Sequence, residues 1–217
     1  WDFRTEALPD LPGSFIYGDL SGYRVAPGHY KAVMKFKNEI SETQLDLIAD
    51  PRLQIKPEDW KIQQQLLSQM DDAVKEMHNS INSMRKVKKQ IENYNELLKN
   101  EPSAKELIQS GKEIVKKIDQ WESNLIETRS KNFQDVINYR NKLNAEFLQV
   151  RGAVDAHDPR ITQGVKARLN DVQIDWSKYK KEMQTILVND VGNYNKIFKD
   201  KNVPAVITEL KEIIINN

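Results

Sequence analysis

One unbroken apolar stripe constrains this chain more than any other feature of its sequence. From Pro57 onward, apolar side chains recur at a mean spacing of 3.6 residues, and ten steps cover the 36 residues between Ile62 and Leu98. That spacing predicts a single amphipathic helix with one buried face. At about 1.5 Å per residue, such a helix is roughly 60 Å long. We therefore expect other long helices to lie alongside it.

Three further apolar stripes follow the first. They run from Leu107 to Leu125, from Val136 to Val154 and from Val165 to Phe198. Pro102 is expected to begin the second helix, and Asp158 with Pro159 to cap and begin the fourth. Because the connections are short, we predict an antiparallel bundle of about four long helices in up-down order. The pattern leaves open whether the second and third stripes are separate helices or one bent rod. A last short element, Pro204 to Ile215, is expected to lie across one end of the bundle.

Glycine and proline set the first 50 residues apart. Four of the eight glycines and three of the eight prolines lie there, so this stretch is not expected to be helical. Between His29 and Lys37 the side chains alternate, with Tyr30, Ala32, Met34 and Phe36 on one side and mostly basic residues on the other. Such alternation predicts a half-buried strand.

A second alternating segment, Thr43 to Ala49, follows a break at Asn38, and the two segments together predict an antiparallel hairpin. Trp1 to Arg4 and Phe15 to Tyr17 are two further strand candidates. The predicted fold class is thus mainly α. A small antiparallel β segment, residues 1–50, precedes a helical bundle, residues 51–217.

The charge balance and the lack of cysteine exclude several classes of function. The chain has 33 basic and 32 acidic side chains, a formal net charge of +1, so we expect no long-range attraction to nucleic acid or to an anionic membrane. It has no cysteine, which excludes a disulfide scaffold, a thiolate zinc site and a cysteine nucleophile. No run approaches about 18 consecutive apolar residues, so we expect no membrane insertion.

The three histidines are the first candidates for metal binding or catalysis. His29 falls on the solvent side of its strand. His78 has no second histidine three or four residues along its helix, which a helical metal site needs. His157 lies between Asp155 and Asp158, but the Asp158 carboxylate is expected to cap a helix instead. We predict no catalytic, cofactor-binding or metal-binding residue and no cofactor.

A basic run and the tryptophans each have a structural and a functional interpretation. For Arg85 to Lys89 we favour a solvated helix face over a nucleic-acid site, because only Tyr94 is near enough for base stacking. Trp60, Trp121 and Trp176 would form a sugar-stacking platform if they were exposed. Trp121 and Trp176 follow their stripes and are predicted to be core residues, and Trp60 is expected to attach its helix to the β segment.

Several short motifs together resemble one protein family. Trp1-Asp2-Phe3-Arg4, the stretch from Val25 to Val33, and Asp50-Pro51-Arg52 before the long helix are similar to the C-terminal region of large bacterial proteins with BNR-type, sortilin-like propeller repeats. In that region, a Trp-Asp-Leu-Arg strand and a hairpin similar to the FlgD-type immunoglobulin-like domain precede a helical bundle. Further counterparts follow in order, namely Asn138 to Leu143, Asp155 to Thr162, Asp190 to Asn195 and Val203-Pro204.

The resemblance implies a parent protein, often labelled a glycosyl hydrolase, that is exported to the periplasm or cell surface of a Bacteroidetes-like bacterium. Trp1 would then lie inside the immunoglobulin-like domain, and the chain is expected to be one part of that longer protein. The propeller is not in this sequence. The activity that the family label implies is therefore carried onto none of these residues.

We accordingly expect a non-catalytic C-terminal accessory or interaction module. Its expected partners are the upstream propeller of the same protein and another protein bound through a helical face. The alternatives are a glycan-hydrolase region that contributes to a carbohydrate site, and a free-standing helical adaptor of the spectrin type. Trp1, Phe3, Tyr30, Met34 and Phe36 are expected either to cover the start of the bundle or to face further strands.

Overall fold

The computed structural model of the chain describes residues 1–201 and residue 203. Two strands and five α-helices follow one another in this range. They are β1 (Gly28–Phe36), β2 (Glu39–Leu47), α1 (Pro57–Leu97), α2 (Lys105–Leu125), α3 (Leu143–Val154), α4 (Gln163–Thr185) and α5 (Gly192–Asp200). The prediction of a mainly α fold, a helical bundle preceded by a small antiparallel β segment, is confirmed. The element expected from Pro204 to Ile215 lies outside the described residues.

The first apolar stripe forms α1. Pro57 occupies the first helical position, where its missing N–H has no helical partner to lose. Glu58 and Asp59 place negative charge in the first turn, which the helix dipole favours. The buried apolar residues of α1 include Leu67, Met70, Val74, Met77, Ile81, Met84 and Ile91. Ile62 is exposed, so the buried face begins later than the spacing predicts.

The second and third stripes form separate helices, α2 and α3. The spacing predicts that the third stripe begins at Val136, but α3 begins at Leu143. The chain before α3 forms a 3₁₀ turn, Phe133–Ile137, in which Asn132 Oδ1 accepts a hydrogen bond from Gln134 N at 2.9 Å. Polar side chains that satisfy nearby backbone groups compete with helix formation. This local capping explains why the third helix is shorter than predicted.

The fourth stripe forms α4 and α5. The predicted start of this helix at Pro159 is wrong, because α4 begins at Gln163. The Asp158 carboxylate accepts hydrogen bonds from the backbone N–H and the guanidinium of Arg160. These bonds lower the pKa of Asp158 to about 2. The Thr162 hydroxyl, rather than Asp158, accepts a hydrogen bond from the first turn of α4.

A π-helical turn, Ile186–Val191, connects α4 to α5. Beyond this turn the Tyr194 side chain is buried, and the ring of Phe198 lies 4.9 Å from that of Tyr94 on α1. Burial raises the pKa of Tyr194 to about 12. The end of the fourth stripe thus packs through aromatic rings.

The chain forms two compact units. The first unit comprises Trp1–Asn79 and Leu125–Trp176, and the second comprises Ser80–Asn124 and Ser177–Asn217, of which the part up to Lys201 and Val203 is described. α1 and α4 each contribute residues to both units. α3 belongs to the first unit and nearly all of α2 to the second.

In the second unit, α2 is antiparallel to its two neighbours. The pairs that join these segments are Arg85–Glu122 (2.7 Å), Lys88–Asp119 (2.5 Å), Lys117–Asp190 (2.6 Å) and Trp121 Nε1 to Tyr179 O (2.8 Å). As residue numbers rise along α2, those of the contacted residues fall, both on α1 and on the segment from α4 to the π-helical turn. α1 and that segment therefore run in the same direction, with α2 antiparallel to both.

In the first unit, α3 is antiparallel to α1. Gln63 Nε2, near the start of α1, donates to Val154 O at 2.7 Å. Farther along α1, Asp71 Oδ1 accepts a hydrogen bond from Arg151 Nε at 2.5 Å, and both side chains of this ion pair are buried. Arg151 Nη2 also donates to Ser21 O at 2.6 Å. One guanidinium thus joins α3 to α1 and to the N-terminal segment.

The N-terminal segment is also attached to α1 through His78. Leu8 and Leu11 are buried, and between them the carbonyl oxygen of Pro9 lies 2.6 Å from His78 Nδ1. A carbonyl only accepts, so Nδ1 carries the proton and Nε2 is the bare nitrogen. In the described part of the chain, buried Nε2 has no hydrogen-bond partner. Burial lowers the pKa of His78.

The hairpin is confirmed, but its predicted half-burial is wrong. β1 pairs antiparallel with β2 from Gly28 opposite Leu47 to Phe36 opposite Glu39. The connection is a two-residue turn in which Lys37 has a positive φ of 52°. Phe36, which the alternation places on the side predicted to be buried, is exposed.

The two further strand candidates are wrong as regular strands. Trp1 to Arg4 contributes a single bridge, between Arg4 and Arg24. Phe15 to Tyr17 contributes none. The rings of Phe15 and Tyr17 pack against Phe133 instead, with ring centres 5.1 Å and 6.0 Å from that of Phe133. Side-chain packing thus holds this segment where backbone pairing was predicted.

Replacing Arg151 with Met is expected to lower the free energy of unfolding by about 3–5 kcal/mol, because the buried Asp71 charge then has no partner. The double variant Arg151→Met/Asp71→Leu removes both charges and should recover most of the loss. Urea unfolding followed by circular dichroism measures both variants. The control is Arg52→Met, which breaks the exposed pair with Asp50 and should change stability little. Equal losses of unfolding free energy in Arg52→Met and Arg151→Met would contradict the conclusion that the loss comes from the unpaired, buried Asp71 charge.

Acidification is expected to weaken the fold through His78. Its folded-state pKa lies below the ordinary value of 6.5, so the unfolded chain takes up the proton first. The free energy of unfolding therefore falls as the pH drops from about 7 through 6.5 toward the folded-state pKa. The charge of nearby Asp10 favours protonation of His78, so it makes this fall in the free energy of unfolding smaller.

His78→Gln keeps a donor for Pro9 O but does not titrate, so its stability should depend less on pH between about 7 and 5. The exposed-histidine variant His157→Gln should follow the wild type. Denaturant titrations at several pH values make the comparison. Parallel curves for His78→Gln and the wild type would show that another group causes the pH dependence.

Candidate functional site

The hairpin presents one side of exposed apolar residues. We call this side the apolar face and define it as Trp1, Phe3, Tyr30, Met34 and Phe36. Tyr30, Met34 and Phe36 lie at even spacing on β1 and so point to the same side of the sheet. Trp1, Met34 and Phe36 are 65%, 68% and 64% exposed. Of the two roles expected for these residues, covering the start of the bundle is therefore wrong.

Local contacts hold the aromatic end of the apolar face in place. The ring centre of Trp1 lies 5.1 Å from that of Phe3 and 5.5 Å from that of Tyr30. Trp1 Nε1 donates to Arg4 O at 2.9 Å, and the Tyr30 hydroxyl donates to Ala26 O at 2.5 Å. Phe3 has a φ of +60°, which is unusual for a side chain of this size. These contacts fix the three rings, of which Trp1 and Phe3 are exposed and Tyr30 is partly buried.

Charges divide the two strands of the hairpin. The ionisable side chains are His29, Lys31 and Lys35 on β1, and Glu39, Glu42 and Asp46 on β2. Lys31 Nζ lies 3.0 Å from Glu42 Oε2, and His29 Nδ1 lies 2.5 Å from Asp46 Oδ1. One strand is therefore basic and the other acidic, and cross-strand pairs join them.

A cavity of about 440 Å³ lies beside the base of the hairpin. Its apolar wall includes Pro27, Leu47, Leu53 and Trp60. Trp60, in the first turn of α1, thus lines the same cavity as residues of the β segment. The volume falls in the range of small-molecule sites.

The polar groups of the cavity are largely engaged with one another. Arg24 Nη1 donates to Asp155 O at 3.1 Å. Arg52 donates through Nε and Nη2 to the Asp50 carboxylate, at 2.6 Å for the shortest contact. The Arg52 hydrogen bonds lower the pKa of Asp50, with a smaller contribution from the charge of His157. The cavity therefore offers mixed donors and acceptors with no dominant sign of charge.

Two of the three candidate platform tryptophans are core residues, as predicted. Trp121 and Trp176 are 2% and 3% exposed. Their indole N–H groups donate to Tyr179 O at 2.8 Å and to Glu76 Oε2 at 3.0 Å. These two rings are therefore closed to a ligand, and Trp60 alone of the three lines the cavity.

The structure does not bring the histidines together. His29 lies on the exposed hairpin, His78 is buried against the N-terminal segment, and His157 is exposed beside the cavity. In the described ranges, 1–201 and 203, no group of three or more histidine, aspartate or glutamate side chains is placed to hold a metal ion.

The basic run has a structural role as well as a solvated face. Within Arg85 to Lys89, Arg85 pairs with Glu122 and Lys88 with Asp119, both on α2. Sequence reasoning missed these pairs, together with the buried polar residues Gln63, Asp71 and Arg151. The sequence did carry a signal for the Arg151–Asp71 pair. Arg151 lies within the third stripe and Asp71 beside the first, and ionised residues are rarely buried unless they are paired.

Neither a protein-family model, a curated protein nor a solved structure matches this chain. The resemblance to BNR-type propeller proteins therefore stays a prediction. Among the described residues, no helix combines the length and the apolar character needed to cross a bilayer.

Proposed function

We propose that the chain is a non-catalytic accessory module that binds a protein surface through the apolar face, within a larger exported protein that carries a BNR-type propeller. The observation that supports it is the exposure of Trp1, Met34 and Phe36 on one side of a two-stranded sheet. Contiguous exposed apolar residues mark interaction surfaces. Each large side chain that a partner buries contributes about 1.5–3 kcal/mol.

The partner that we propose is the upstream propeller of the same protein. This part of the proposal rests on the motifs Trp1 to Arg4 and Val25 to Val33, which resemble the segment between a propeller and a helical bundle. Both motifs belong to the segment that carries the apolar face. A propeller blade is itself a small β-sheet, so its surface is suited to pack on an exposed sheet face.

The pKa shift of Glu127 also supports an architectural role. The Arg129 guanidinium donates to Glu127 and lowers the pKa of that carboxyl to about 2. The Arg129 guanidinium carbon also lies 4.4 Å from the centre of the Tyr139 ring. These interactions fix the connection between α2 and α3, so the perturbed carboxyl has a structural cause.

We expect Phe36→Lys and Met34→Lys each to weaken binding to the upstream propeller by about tenfold or more, since both residues lie within the buried area that we propose. The matched control is Ile174→Lys, which places the same charge on an exposed apolar position of α4. Isothermal titration calorimetry with the propeller from the same reading frame measures the affinity, and circular dichroism verifies folding. Absence of binding, or equal weakening by Ile174→Lys, would reject the proposal. The same reading frame tests the free-standing adaptor alternative, which an upstream propeller excludes.

The cavity beside Trp60 favours one second candidate, a carbohydrate site. An indole beside arginine and carboxylate groups can stack on a sugar ring and hydrogen-bond its hydroxyls. Oligosaccharide titration followed by tryptophan fluorescence tests it, in a Trp1→Phe background that removes the exposed indole outside the cavity. A saturable signal that Trp60→Phe abolishes, or glycosidase turnover by the chain, would favour this candidate. An unchanged spectrum at saturating sugar would reject it.

A further inference from the structure

The strand edges of the hairpin carry information about the partner. In the described part of the chain, β1 and β2 pair with each other and with no third strand. Within residues 1–201 and 203, each therefore has one outer edge whose backbone N–H and C=O groups pair with no other strand. Strand addition to such an edge gives affinity through main-chain hydrogen bonds and specificity through alternate side chains. We propose, on the basis of the proposed function, that an acidic extended segment of the partner adds to the outer edge of β1.

Apolar exposure distinguishes β1 from β2. On β1, Met34 and Phe36 are exposed on one side of the sheet and Val33 on the other. On β2, Ile40 is the large exposed apolar residue. Side chains of neighbouring strands pack against each other on both faces of a sheet. A strand beside β1 would therefore cover apolar surface on both sides.

Charge then selects an acidic segment. Glu42 and Asp46 of β2 already pair with Lys31 and His29 across the hairpin. Lys35 lies opposite Ile40, and among the described residues no carboxylate pairs with it. Opposite charges on adjacent strands stabilise the pairing of the strands. A segment with carboxylates beside Lys35 and Lys31 gains this contribution, whereas a basic segment meets repulsion.

The same charges oppose a two-fold symmetric pair with a second copy of this chain. A two-fold symmetric pair through β1 would place the histidine and lysines of one copy beside those of the other. A symmetric pair through β2 would place carboxylates beside carboxylates. Pairing of β1 with β2 of another copy is free of this repulsion but is head-to-tail, so it would extend into an open chain. Charged edges of this kind are a known protection against self-association.

The test uses a nine-residue peptide with the sequence of β2, Glu39 to Leu47, carrying Ile40→Glu, because β2 already fits beside β1 along the inner edge and position 40 lies opposite Lys35 in that register. A control peptide carries lysine in place of its four acidic residues. Fluorescence anisotropy of labelled peptides measures binding to the full chain. We expect the acidic peptide to bind about tenfold or more tightly than the lysine peptide, and its binding to weaken as salt is raised.

Lys35→Gln is expected to reduce this preference, and Lys35→Glu to reduce it further. Lys61→Glu makes the same change of net charge at an exposed position of α1 and should leave the preference intact. No detectable binding of the acidic peptide at about 1 mM, a limit near 4 kcal/mol of binding free energy, would overturn the inference. Equal binding of both peptides, the same effect from Lys61→Glu, or a concentration-dependent dimer of the free chain in light scattering would also overturn it.

The two proposals fail in different ways. If Phe36→Lys weakens binding to the propeller but Lys35→Glu does not, the interaction module stands and the acidic-strand inference fails. If the peptide preference holds but the propeller does not bind, the propeller is rejected as the partner and the edge specificity stands.

Discussion

The buried ion pair between Arg151 and Asp71 is the contact on which the first unit depends most. Its guanidinium binds a carboxylate on α1 and the carbonyl oxygen of Ser21, so two helices and the N-terminal segment meet at one charged group. A buried charge is tolerated only when it is paired and hydrogen-bonded. Any arrangement of α3 or of the N-terminal segment that separates this pair is therefore strongly disfavoured.

The attachment extends from the core to the base of the hairpin. Asp155, just after α3, accepts hydrogen bonds from Arg4 Nη1 and Arg24 N at 3.1 Å and 3.0 Å. The residues before β1 are thus fixed by side chains of the helical core. The hairpin beyond them, including Met34 and Phe36, is exposed. A fixed base and an exposed apolar end suit a surface that presents residues to a partner without reorganising first.

The helices were predictable from the sequence because apolar period is a direct consequence of burying one face of a helix. Met70, Val74 and Met77 are buried as the period predicts. The short α3 was not predictable in this way, because the residues around Val136 form a 3₁₀ turn capped by Asn132, which apolar spacing does not reveal. The exposure of Phe36 was missed for another reason. Alternation shows which residues share a side of a strand, but not whether anything covers that side.

The candidate sites were only partly predictable. Trp121 and Trp176 were assigned to the core by register alone, and Trp60 to the junction with the β segment. The cavity beside Trp60 was not foreseen, because it joins residues that are far apart in the sequence, such as Pro27 and His157.

The π-helical turn Ile186–Val191 affects how many residues the fourth stripe can hold. A wider turn absorbs one surplus residue, so the residues after it face the same way as they would in a regular helix one residue shorter. A one-residue deletion there would therefore restore α-helical geometry and leave Tyr194 facing the core.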